Sequence, residues 1–152
     1  MPDDRYDRDI LAWSERQSAL LRRVARGERL NDVDWDHVVE EIEDVGLSEL
    51  NAVRSCLRQM IVHLLKLHGW SGHSACQHWR SEFVAFQSEL SDRFSPSMRQ
   101  RIDLAGIYQR CLRQVCLLTY DDQKPQPWSQ ECPFTLDDLL TGQPADPEAM
   151  LV

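Results

Sequence analysis

The sequence is short of most features that announce a function. No apolar run is long enough to span a membrane, since the longest stretch, Met60 to Leu67, is interrupted by His63 and Lys66. The first residues, Met1-Pro2-Asp3-Asp4-Arg5, lack the basic start and apolar core of a secretion signal, so a cytoplasmic chain with no membrane partner is expected. Five cysteines, Cys56, Cys76, Cys111, Cys116 and Cys132, make an odd number without Cys-x-x-Cys spacing. They read as small buried hydrophobes in a reducing compartment and not as a disulfide framework or a zinc site. The six glycines are isolated, which excludes a glycine-rich phosphate loop. Lysine is nearly absent: of 17 basic residues only Lys66 and Lys124 are lysine. The net charge of −8 opposes binding to a phosphate backbone, so nucleic acid is not an expected partner. Arg99, Arg101, Arg110 and Arg113 could form a local basic patch, but a solvated helix face explains them equally well.

What is present is helical periodicity along a chain of 152 residues, enough for one domain with a single core. Tyr6, Ile10, Trp13, Gln17, Leu20 and Val24 recur in steps of three and four, and Gly27 stands where a helix would end, which predicts a helix over about 7–26. Asp34 can cap a second segment in which Trp35, Val38, Val39, Ile42, Val45, Leu50, Val53, Leu57, Met60, Ile61, Leu64 and Leu67 keep one apolar stripe. The stripe crosses Gly46 in phase, so one long helix to His68 is expected and not a hairpin. Gly69 and Gly72 bracket a reversal. Ser74 with Gln77 has capping-box spacing, and Cys76, Trp79, Phe83, Phe86, Leu90 and Phe94 carry the next helix over 75–94. Ser95-Pro96 opens a fourth helix running to about Tyr120. Pro125 and Pro127 stop regular structure, and Thr135-Leu136-Asp137-Asp138 starts a short helix ending at Thr141-Gly142. The expectation is an all-α bundle of about four main amphipathic helices, one of them long, plus a short C-terminal helix. It forms a single domain over 1–152, with its core at about 6–142 and a frayed tail over 143–152.

The order of several signals resembles a known family. Tyr6-Asp7-x-Asp9, Trp13, the run Glu40-Glu41-Ile42-Glu43 followed by Gly46, the box His63-Leu64-Leu65-Lys66, Trp79, Ser95-Pro96-Ser97 and Cys132-Pro133-Phe134 together resemble the bacterial family called domain of unknown function 29. The resemblance covers about residues 5–142. It implies an all-helical domain, mostly cyanobacterial and proteobacterial, with no established activity. Leu67-His68 departs from the family pattern, in which an aromatic residue usually follows the lysine.

Candidate sites must therefore come from the residues themselves. Asp32, Asp34, Asp36 and Glu43 occupy positions 1, 3, 5 and 12 of a calcium loop, but His37 stands where the loop needs glycine, and acids are welcome at a helix start anyway. A helical-bundle metal centre typically uses Glu-x-x-His, which the chain lacks; His37 with Glu40 or Glu41 offers only the reversed spacing on one face. His63 interrupts an apolar run, and the reversal near Ser71 places Trp79 opposite it and Glu82 a turn away. A clamp is expected in which His63 stacks on Trp79 and bonds Glu82. The polar cluster to examine is thus His37, Glu40, Glu41, His63, Lys66, Trp79 and Glu82. No catalytic set, cofactor or metal site is assigned. The leading expectation is a soluble helical interaction module. It would contact another protein, or a copy of itself, through the acidic face of Asp32 to Asp44 or through an apolar groove near Trp13 and Trp70. The alternative is a metal-binding or metal-dependent bundle enzyme using His37, Glu40, Glu41 and His63.

Overall fold

A computed structural model describes residues 4–141, so the expected tail lies outside the described residues. The protein is all-α: α1 (Arg5–Arg8), α2 (Ile10–Ala25), α3 (Trp35–Gly69), α4 (Cys76–Arg93), the 3-10 helix η1 (Pro96–Arg101), α5 (Leu104–Val115) and α6 (Leu136–Thr141). Among the described residues there is no strand, only an isolated bridge between Tyr120 and Gln123. No helix among them is long and apolar enough to cross a membrane. The chain divides into two compact units, one ending at Ser48 and the other beginning at Glu49.

In the first unit the helix expected over 7–26 is interrupted at Asp9, whose backbone leaves the helical region and whose carboxylate accepts the Ala12 N–H at 3.0 Å. A short acid here competes for backbone donors, ending α1 and capping α2 in one residue. The other end is as expected. Gly27 adopts φ +93, its N–H bonds Val24 O, and Glu28 N–H reaches back to Arg23 O, a Schellman closure that needs a residue without a Cβ. Trp13, Leu20, Val33 and Val38 form the core of this unit.

The second unit owes its stability to the later part of α3. Val53, Leu57, Met60, Ile61, Leu64, Leu65 and Leu67 are fully buried. Burying each such side chain is worth about 1.5–3 kcal/mol. From α4, Phe83 and Leu90 enter the same core, and Tyr108, Cys111 and Val115 enter it from α5. α4 runs antiparallel to α3: His63 faces Phe86, and Arg93 pairs with Glu49 at 3.2 Å. The expected Ser74 and Gln77 capping box does not form; Ala75 stands at the N-cap of α4 with no side-chain cap, and Nδ1 of His73 accepts the Ala75 N–H at 3.0 Å.

The single helix expected from Pro96 to Tyr120 is two elements. Asp103 sits outside helical geometry and accepts the Gly106 N–H at 3.0 Å, so η1 ends and α5 restarts under a new cap. A Cβ at Gly106 would press on that carboxylate, so a larger residue there requires the Asp103 side chain to shift. The capping box at α6 is reciprocal: Thr135 N–H donates to Asp138 Oδ2 at 2.7 Å and Asp138 N–H to Thr135 Oγ1 at 3.2 Å. Between α5 and α6 the chain is tied to the end of α3. Trp128 Nε1 donates to Leu65 O at 2.8 Å, Trp70 Nε1 to Gln123 O at 2.9 Å and Gln126 N–H to Gly69 O at 2.8 Å.

Candidate functional site

The residues singled out in the sequence fall into two neighbourhoods, each inside one unit. In the first unit, Asp34 sits just before α3. Its carboxylate accepts the Trp13 indole N–H at 2.9 Å and the His37 ring N–H at 2.7 Å, while its own backbone N–H donates to Gln17 Oε1 at 2.9 Å. Tyr6 stacks on His37 with ring centroids 3.8 Å apart, and its hydroxyl donates to Glu41 at 2.7 Å. That bond to Glu41 pushes the Tyr6 hydroxyl up to about 12. Hydrogen bonding to Asp34 raises the His37 pKa, partial burial opposing it. Burial alone would lift the Asp34 carboxyl, but the bonds from His37 and Trp13 outweigh it and hold the carboxyl below its usual range.

His37 and Glu41 are therefore brought together around Tyr6, whereas Glu40 is exposed and acts on His37 only through its charge. Two acids of the calcium-loop pattern have partners of their own: Asp34 bonds Trp13 and His37, and Asp32 lies 4.0 Å from Arg16. Among the described residues no three His, Cys, Asp or Glu side chains group closely enough to hold a metal ion.

In the second unit the expected clamp has different partners. His63 donates from Nδ1 to Gln59 O, one turn earlier, at 2.6 Å, and the ring it faces is Phe86, at 5.9 Å, not Trp79. Glu82 reaches it only as a nearby charge. Burial holds the imidazole below its ordinary pKa, in the neutral form that a mostly apolar pocket favours. Trp79 stacks instead on His73 at 5.5 Å, and Lys66 Nζ lies 5.9 Å from the Trp79 ring and 5.7 Å from Tyr120. Helical spacing placed Trp79 in the correct neighbourhood; only the fold of the reversal decided which histidine meets it.

His73 has the outline of a catalytic base but not the capacity. Its Nδ1 accepts the Ala75 N–H, so Nε2 carries the proton and donates it to Asp121 Oδ2 at 2.7 Å. No lone pair is left to take a proton from a nucleophile. Asp121 and Asp122 adopt φ +51 and +57, an uncommon conformation that Asp tolerates better than most residues.

Two further corrections concern surfaces. Trp13 and Trp70, expected to line an apolar groove, are only 4% and 3% exposed, each packed in the core of its own unit. Conversely, Trp35, Val39, Ile42 and Val45, read in the sequence as core, are 51%, 51%, 68% and 68% exposed. Only Val38 of that segment is buried. Trp35, Val39, Ile42 and Gly46 fall within an arc of about 60° on α3 at 3.6 residues per turn. Asp36, Glu40 and Glu43 lie along one margin of that arc. Between Arg29 and Arg54 there is no Lys or Arg, while eight Asp and Glu residues fall from Asp32 to Glu49, equal in number to the whole net charge of −8. That localisation of charge was available in the sequence as a signal.

The fold defines a small all-helical protein whose described residues include no group of three His, Cys, Asp or Glu side chains that could hold a metal ion. The model of the family Domain of unknown function DUF29 matches residues 5–143, and the chain belongs to that family. A similar solved structure is the crystal structure of an alpha-helical protein of unknown function from Rhodospirillum rubrum. It is 31% identical, with 96% of this chain and 94% of that chain covered and a TM-score of 0.73. No curated protein matches the chain.

Proposed function

We propose that this protein is a docking module in which the start of α3 receives a basic amphipathic helix from another protein. The observation that carries the reading is the exposed stripe of Trp35, Val39 and Ile42 beside an acidic margin. A helix that spends three large apolar side chains on solvent forgoes about 25 cal/mol for every Å² left wet, a cost that a partner removes. Helices bind helices through such i, i+4, i+7 anchors, and the margin selects the partner by charge. A second copy of this chain suits the stripe less well, because a symmetric pair sets Asp36, Glu40 and Glu43 against the same acids.

Two helical peptides with the same leucine stripe, one margined by arginine and one by glutamate, provide the test in an NMR titration of the whole protein. The arginine peptide is expected to shift the amides of 35–45, to weaken as salt is raised and to lose its effect in a Val39→Asp, Ile42→Asp variant. Equal binding of both peptides, or perturbation elsewhere, would overturn the proposal. So would a solution mass that doubles on concentration with 35–45 protected, since that makes the occupant a second copy.

A further inference from the structure

The second unit contains a cavity of about 600 Å³ whose walls carry four arginines: Arg54 and Arg58 from α3, Arg101 from the end of η1 and Arg110 from α5. Their environment differs from that of four arginines elsewhere in the chain. Arg8, Arg23, Arg93 and Arg99 each have a carboxylate within 3.2 Å. Among the described residues, none of the four around the cavity is in an ion pair. Arg54 is held instead by neutral oxygens, donating to Arg101 O at 2.7 Å and Asn51 Oδ1 at 3.3 Å. The one acid in the wall, Asp103, already accepts the Gly106 N–H as the cap of α5. Ile107 supplies an apolar patch and Ser55 a hydroxyl.

From this arrangement we infer that the cavity is a binding site for the phosphoryl group of a small molecule. Four guanidinium groups gathered around a single carboxylate, Asp103, leave an excess of positive charge, and a dianion offsets that excess while accepting paired N–H bonds. The arginines come from three separate elements. A tetrahedral phosphate can turn an oxygen toward each of them, whereas a planar carboxylate presents a single edge. The cavity opens to solvent, with Asn51, Ser55, Arg58, Arg101, Asp103 and Arg110 exposed around it, so a small ligand can enter, and its volume of about 600 Å³ accommodates one over the apolar side chain of Ile107. A long nucleic acid fits less well, since the chain as a whole is strongly acidic.

Thermal unfolding of the whole protein with inorganic pyrophosphate, against chloride at matched ionic strength, tests the inference. A saturable rise in the melting midpoint is expected. Calorimetry is expected to find binding weakened by about tenfold or more for each arginine removed in Arg58→Gln and Arg110→Gln. Arg113→Gln, outside the cavity, is expected to leave binding unchanged. The double variant without ligand should melt close to the parent, because Arg58 and Arg110 are exposed and, among the described residues, in no ion pair; its loss of binding therefore reads on the site and not on folding. No rise beyond chloride, or a rise that persists in the double variant, overturns the inference. Citrate binding as tightly as pyrophosphate overturns the phosphoryl assignment. A single-stranded RNA that binds more tightly, with a steep salt dependence, overturns the small-molecule assignment.

Discussion

The two parts of α3 are continuous in sequence pattern and opposite in environment. From Trp35 to Ser48 the helix buries Val38 and leaves Val39, Ile42, Val45 and Leu47 exposed. From Leu50 to Leu67 nearly every apolar side chain is sealed. The same spacing of apolar residues therefore supplies a core in one place and an unoccupied surface in the other. Periodicity states that a helix has an apolar face, and neighbouring elements decide whether that face is covered.

The sharpest way to break this contrast is to place a charge on each part. Leu64→Asp buries an unpaired carboxylate in a closed core and is expected to cost more than about 4 kcal/mol, abolishing the cooperative unfolding of the second unit by circular dichroism. Ile42→Asp is expected to change stability by less than about 0.5 kcal/mol in the same measurement. A severe loss from Ile42→Asp would mean that the stripe is covered in the free protein.

The glycines of α3 repeat the contrast at smaller scale. A Cβ at Gly69 would come within 2.7 Å of the Trp128 ring, so Gly69→Ala is expected to cost about 1–3 kcal/mol in chemical denaturation by forcing the 120–128 segment outward. At Gly46 a Cβ would meet nothing within 4 Å, and Gly46→Ala is expected to stabilise by up to about 1 kcal/mol. Destabilisation at Gly46 would reveal a contact that the helix does not display.

The histidines of the two units should respond to pH in opposite directions. Bonding to Asp34 raises the folded pKa of His37 above the unfolded value of 6.5. Its contribution is complete below that value and fades as the pH climbs through the folded pKa. Burial lowers the folded pKa of His63, so the unfolded chain takes up its proton first and stability falls as the pH drops from 6.5 toward the folded value. Acidification from pH 8 to 5.5 should therefore increase hydrogen-exchange protection around His37 and decrease it around His63. Parallel changes at both sites would count against this reading of their partners. Below the ordinary carboxylate range the gain at His37 reverses, because Asp34, held low in the fold, then takes up its proton.

Much of the fold was legible because its signals are local. Gly27 after Arg26, the long stripe crossing Gly46 and the Thr135 to Asp138 box each act within a turn or two, and each forms as expected. The breaks at Asp9 and Asp103 were missed although they too are local; an acid followed three residues later by a free N–H, Ala12 or Gly106, is their signature. The site residues were less legible. His63 and Trp79 lie close to where helical spacing put them, but which ring Trp79 touches depends on the turn from Trp70 to Ala75, and there His73 is locked by Ala75 and Asp121. The four arginines of the cavity lie on three elements whose register follows from the unexpected restart at Asp103.

By itself, then, the sequence determined that this protein is helical, where its longest helix begins and ends, and that its negative charge is concentrated around the start of that helix. These properties depend on capping, periodicity and composition, which operate between near neighbours in the chain. Tertiary structure alone decided which apolar residues are covered, which histidine is spent on Trp79, and that Arg54, Arg58, Arg101 and Arg110 share one cavity. Those outcomes depend on contacts between residues up to tens of positions apart, set by how whole helices pack and turn.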